Sequence, residues 1–158
     1  MEDFKKAKRD QLKEALGFLP WCMIVDAFQQ WIYLHPDHSV EEREDFFASL
    51  MDRFNTGVDW TSLEEFKKNL WLFQLHIFEV PFYYIEYGIS QLGALSVYRN
   101  YKKFGKEKAL QKYEDFLKLG YTKPIDELYE AAGIKFDFSI PYVKELVDFV
   151  RDELKGIQ

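Results

Sequence analysis

The residues best equipped for chemistry lie in one run, His76-Ile-Phe-Glu-Val-Pro-Phe-Tyr-Tyr-Ile-Glu-Tyr-Gly-Ile-Ser-Gln91. Imidazole and phenol groups donate hydrogen bonds, so several aimed at one point would stabilise an oxyanion developing on a substrate carbonyl. Read as a helix, His76, Tyr83 and Tyr87 fall at i, i+7 and i+11 and share one face. Pro81 lies between them and would kink the backbone, turning the two halves toward a common point. Glu79 and Glu86 add carboxylates within a few residues. The competing reading is a core one. A lone histidine and several tyrosines on an apolar helix usually pack inside with their polar tips satisfied, and the glutamates then face solvent.

Other chemistry-bearing groups are sparse. The chain has three histidines, His35, His38 and His76, and none is followed by Glu. A zinc-peptidase helix needs His-Glu-x-x-His, which sets two imidazoles one turn apart with a base beside the metal-bound water. His35 and His38 sit in His-Pro-Asp-His, expected to be a loop, where only a carboxylate such as Asp37 would complete a site. We expect no metal ligands in this chain. Cys22 is the single cysteine, so no intramolecular disulfide forms; between Trp21 and Met23 it reads as a buried, reduced thiol of a cytoplasmic protein. Gly-rich phosphate loops, nucleophile elbows and cysteine pairs are absent from the sequence.

The elements that must position the run are helices. Apolar residues recur at helical spacing from Asp3 to Tyr33, with Gly17 and Pro20 predicting a kink or break. Ser39 with Glu42, and Thr61 with Glu64, carry the capping-box pattern. The first opens a helix that carries Phe46, Phe47, Leu50 and Phe54 and stops near Gly57, the second a helix running through WLFQLHIFEV to Pro81. Helices follow over Phe82–Tyr101, ended by Gly105, and over Lys106–Leu119, ended by Gly120. Pro124 and Gly133 bracket a short helix, and Ser139 caps a last one. No run alternates like a strand, no repeat appears and no linker divides the chain. The expectation is one all-α domain over residues 1–158, of about six to eight helices.

Composition excludes several function classes. A net charge of −6 does not suit a nucleic-acid binder, and Lys5, Lys6, Lys8 and Arg9 read as one solvated helix face. No stretch approaches the roughly 18 apolar residues of a membrane span, and no signal peptide is read at the start. The aromatic content is high, with 15 Phe, 10 Tyr and 4 Trp, more than a small interior readily hides.

Four segments in register, LGFLPWCMIVDAFQQWIY, LMDRFNTGVDW, HIFEVPFYYIEYGISQLGAL and LGYTKPIDELYEAAGIKFDFS, resemble the oligoendopeptidase F family, which belongs with the thimet oligopeptidases. The resemblance covers essentially the whole chain. It implies zinc endopeptidases that cleave short peptides in a deep channel between helical lobes. It implies that His76 contacts substrate and that a tyrosine among Tyr83, Tyr84 and Tyr87 stabilises the tetrahedral intermediate. Tyr83 and Tyr87, on the face of His76, are favoured for that role, with Tyr84 joining His76 in substrate binding. The loop Gly133–Ser139 would approach the cleft. In the family, the metal motif and a third ligand, Glu, precede the part that this chain resembles. The resemblance therefore implies a C-terminal, substrate-binding lobe, without bound zinc and inactive alone. Its partners would be peptide substrate and either a metal-bearing N-terminal part or a second copy of itself. The alternative is a non-catalytic helical module that self-associates or binds peptides through its aromatic surface.

Overall fold

The computed structural model describes residues 2–54 and 57–157. It contains helices α1 (Glu2–Leu34), α2 (Val40–Arg53), α3 (Glu64–Asn69), α4 (His76–Glu79), α5 (Ile85–Phe104), α6 (Lys106–Leu119), α7 (Ile125–Ala131) and α8 (Ile140–Lys155), with a 3₁₀ turn at Leu70–Phe73. No strand occurs among the described residues, so the expected all-α class is the observed one. None of their helices is long and apolar enough to cross a membrane.

Local chemistry explains most boundaries. At α2 the capping box forms in full: the Ser39 hydroxyl accepts from the Glu42 N–H at 3.1 Å, and the Glu42 carboxylate accepts from the Ser39 N–H at 2.8 Å. The helix ends at Phe54, before Gly57; Asn55 and Thr56, within the LMDRFNTGVDW segment, lie outside the described residues. Gly105 and Gly133, at φ 89° and 73°, end α5 and α7 in a conformation that costs other residues strain. Ser139 occupies the N-cap of α8, but its side chain makes no cap bond; the Asp137 carboxylate accepts the Ser139 N–H instead, at 2.8 Å.

Three expectations are corrected. First, of the kink or break expected at Gly17 and Pro20, the break does not occur: α1 runs unbroken through both. Proline removes one hydrogen bond, at a cost of about 3 kcal/mol. That cost is outweighed because Ala15, Cys22, Ile24, Val25 and Phe28 are all buried along the same helix. Second, Thr61 and Glu64 form no capping box. The Thr61 N–H and hydroxyl both bond the Asp59 carboxylate, at 2.9 and 2.7 Å, and Glu64 accepts from the Ser62 N–H. Third, the helix expected to reach Pro81 is broken into α3, the 3₁₀ turn and α4. Trp71 and Ile77 both pack in one core. Six positions apart, they would point about 120° apart around a regular helix. Tightening the backbone at Leu70–Phe73 changes the phase and lets both turn inward.

Two compact units result, Glu14–Gly88 and the described residues before and after it. In Glu14–Gly88 the core holds Ile24, Phe28, Phe47, Leu50 and Trp71, with the Phe28 and Phe47 rings edge to face at 5.0 Å. A smaller cluster of Cys22, Val25 and Tyr84 packs beside Phe18 and Trp21. In the other unit Leu146 and Val150 are fully buried. There the buried Ser96 and Tyr142 hydroxyls meet at 3.0 Å.

Candidate functional site

His76, Tyr83, Tyr84 and Tyr87 come together in Glu14–Gly88, by a different route from the one expected. Eleven positions of regular helix advance about 16 Å along the axis. A shared face alone would leave His76 and Tyr87 far apart, and a mild kink would not close that gap. The backbone instead stops at Glu79, turns, and starts again at Ile85. The Tyr83 N–H donates to the Val80 carbonyl at 3.2 Å, which makes Pro81 and Phe82 the central residues of a tight turn. Proline is pre-set for the first central position. The second takes φ 60° at Phe82, a left-handed conformation that costs a residue with a Cβ about 1–2 kcal/mol. The Tyr33 ring packs on Phe82 at 5.1 Å.

The reversal folds the His76 ring among three phenols. Its centroid lies 6.1 Å from Tyr83, 5.0 Å from Tyr84 and 5.6 Å from Tyr87. Tyr83 and Tyr87 touch edge to face at 5.6 Å and are 49% and 40% exposed, whereas Tyr84 is only 9% exposed. Tyr84 thus forms the floor of the cluster, and Tyr83 and Tyr87 its open wall. Burial raises the Tyr84 phenol above its ordinary pKa, with the nearby Trp21 indole N–H acting the other way. Desolvation, followed by Tyr83, raises Tyr87 in the same direction. Both hydroxyls therefore keep their protons at neutral pH and remain available as donors.

A polar chain runs under the cluster. The Trp21 indole N–H donates to Gln74 Oε1 at 3.0 Å, Gln74 Nε2 lies 2.7 Å from His76 Nδ1, and His76 Nε2 lies 3.3 Å from the Tyr87 hydroxyl. Gln74 and Trp21 escaped sequence reasoning. The available signal was weak: apart from His76, Gln74 is the only uncharged polar side chain in WLFQLHIFEV. Its partner is 53 positions earlier, a pairing no periodicity reports.

The remaining candidates are placed elsewhere. Glu79 and Glu86 are exposed. Burial pushes the Cys22 thiol up to about 11, so it stays protonated and unreactive. His35 and His38 each direct Nδ1 at a backbone carbonyl, of Trp31 and His35 respectively, and both rings pack on Trp31. Among the described residues no group of three or more His, Cys, Asp or Glu is placed to hold a metal ion. The loop Gly133–Ser139 belongs to the other unit, where Phe136 packs edge to face with Phe138 at 4.8 Å and with Tyr129 at 5.1 Å.

The comparisons with known proteins agree with this architecture. A 3.1 Å X-ray structure assigned as an oligoendopeptidase F superposes with a TM-score of 0.82 at 28% identity, covering 98% of this chain. This chain spans only 27% of the length of that one. No curated protein matches the chain. The model of peptidase family M3 matches residues 1–148, and the chain belongs to that family.

Proposed function

We propose that this chain is the C-terminal, substrate-binding lobe of a metalloendopeptidase that hydrolyses short peptides. The observation that carries the proposal is the exposed wall of Tyr83 and Tyr87 closed around His76. As the scissile carbonyl oxygen gains negative charge, the Tyr87 and Tyr83 hydroxyls donate to it, a contribution that grows toward the transition state. His76 binds the peptide beside them. Tyr84 takes part from below, through its edge-on contact with His76.

Peptidases of family M3 are in general zinc-dependent. The residues present here do not fit that metal: His35 and His38 bond backbone carbonyls and pack on Trp31, and no third ligand accompanies them among the described residues. This chain's own part is to hold the peptide and stabilise its oxyanion, and we propose that cleavage requires a metal-bearing N-terminal part. Mixing the chain with a separately expressed N-terminal part of an M3 peptidase that carries His-Glu-x-x-His tests this. Cleavage of a quenched fluorescent peptide only by the mixture is the expected result. Complex formation without any cleavage would refute the catalytic reading.

A second reading rests on Phe66, Phe73 and Phe78, which are 69%, 84% and 55% exposed. Apolar rings held in water favour a partner, so the chain would act as a non-catalytic module that self-associates or binds peptides. Sedimentation velocity over a hundredfold concentration range separates the two, since a strict monomer removes the self-association form.

A further inference from the structure

We infer that Gln74 and Trp21 are positioning residues that lock His76 in the tautomer carrying its proton on Nε2. The inference rests on reading His76 as part of the substrate site, yet it follows from hydrogen-bond bookkeeping. An indole N–H can only donate, so the Gln74 atom facing Trp21 at 3.0 Å must be the amide oxygen. That choice fixes the amide flip, which geometry alone would leave open. The atom 2.7 Å from His76 Nδ1 is then the amide nitrogen, a donor, so Nδ1 must accept. The single ring proton of neutral His76 is thereby assigned to Nε2, which donates to the Tyr87 oxygen at 3.3 Å.

Every bond in this chain points the same way, from Trp21 through Gln74 and His76 to Tyr87. The polarity matters for chemistry. Because Tyr87 accepts from His76, its own O–H is left to donate onward, and Tyr87 is 40% exposed. The opposite tautomer would draw the Tyr87 proton back toward His76 Nε2 and turn the hydroxyl's lone pairs to the substrate. An oxyanion would then be repelled rather than bound. Gln74 touches neither substrate nor Tyr87 in this scheme; it acts by setting which ring nitrogen is protonated.

The test is a two-bond ¹H–¹⁵N correlation spectrum of the full chain labelled at histidine, which has only three such residues, with His76 assigned by its loss in His76→Gln. In the wild type the expected pattern is a pyridine-like Nδ1 and a pyrrole-like Nε2, favoured about tenfold by one half-buried hydrogen bond. In Gln74→Glu both carboxylate oxygens accept, so Nδ1 must now carry a proton and its signal becomes pyrrole-like. Trp21→Phe frees the amide to flip and gives an averaged pattern. A wild-type spectrum with the proton on Nδ1, or with the two tautomers averaged, overturns the inference without any variant having to fold. An unchanged His76 signal in folded Gln74→Glu overturns it as well. The readout needs no peptide, so a locked tautomer in a chain that never supports cleavage would leave this inference standing and remove only the peptidase reading.

Discussion

Two tyrosine-centred networks in the molecule are built on opposite principles. In the unit outside Glu14–Gly88, the Glu153 carboxylate accepts from Lys8 at 2.9 Å, from the Tyr98 hydroxyl at 2.7 Å and from Lys102 at 3.2 Å. Burial would raise that carboxyl, but the bonds from Tyr98, Lys8 and Lys102 together hold it down to about 2. Its members sit on the long helices α1, α5 and α8. The network around His76 joins Trp21 of α1 to Tyr87 of α5 through Gln74 and His76, which lie on the broken backbone between them. Its last hydroxyl, on Tyr87, is 40% exposed. A charged network whose donors converge on one acceptor holds structure together. One that ends in a half-exposed hydroxyl is, under the proposed function, open to donate to a bound peptide.

The sharpest way to break this contrast is a pair of matched deletions, each removing one phenolic oxygen. In the peptidase reconstituted with a metal-bearing part, Tyr87→Phe is expected to lower kcat by about 10²–10³ with little change in KM, the usual loss for one oxyanion donor. Tyr98→Phe should leave kcat unchanged and cost about 1 kcal/mol of stability, the net value of a hydrogen bond. Initial rates and urea titrations on both variants suffice. If Tyr87→Phe retains more than half of kcat, the His76 cluster is structural too, and the contrast disappears.

Next in size is the charge itself. Glu153→Gln keeps the shape of the side chain and removes the acceptor charge shared by three donors, for an expected loss of about 2 kcal/mol in urea unfolding at neutral pH. His76→Gln, in a partly open cluster of rings, should cost less than about 1 kcal/mol.

Acid sharpens the same comparison. The Glu153 carboxyl is depressed in the folded chain, so its contribution is complete above its ordinary value near 4.5 and disappears as pH falls toward about 2. Wild-type stability should therefore fall across that window more steeply than that of Glu153→Gln, and the two curves should converge at its acid end. Parallel curves would mean that Glu153 is not held low in the native state. No such window is expected for removal of Tyr87, which bears no charge until alkaline pH.

The same contrast explains what the sequence disclosed. Where backbone is periodic and ends in local chemistry, reading succeeds: the Ser39–Glu42 capping box, the glycine after α5 and the amphipathic pattern of α6 and α8 all depend on residues a few positions apart. The residue types of the His76 run stand plainly in the sequence, and the M3 relationship follows from segments in register. The path was not legible. Nothing local marks the break at Leu70–Phe73, because its cause is the joint burial of Trp71 and Ile77 against residues of α1 and α2. Pro81 signalled a bend, but the reversal needs Phe82 in a conformation that phenylalanine disfavours, and tertiary contact has overridden that preference. Trp21, a core residue by type, also bonds Gln74, a partner that local pattern does not reveal.

The smallest expected effect concerns that override. Phe82→Gly would remove the strain of a φ of 60°, a gain of about 1 kcal/mol. It would also remove a ring that is 43% exposed and packs on Tyr33, a loss of about 1 kcal/mol when half of a side chain's burial is forfeited. The two nearly cancel, so the urea midpoint should barely move. Dynamics should respond where stability does not. Glycine makes the reversal reachable in several conformations, and the His76–Tyr87 contact then spends more time open. Amide exchange at Tyr83, whose N–H closes the turn on Val80, should therefore accelerate severalfold, while exchange in α5 around Tyr98 stays as in the wild type. Acceleration at both places would show that the turn is coupled to the ionic network. Acceleration at neither would show that Phe82 carries no constraint on the site. Only the selective result fits a strained turn that holds His76 against Tyr87.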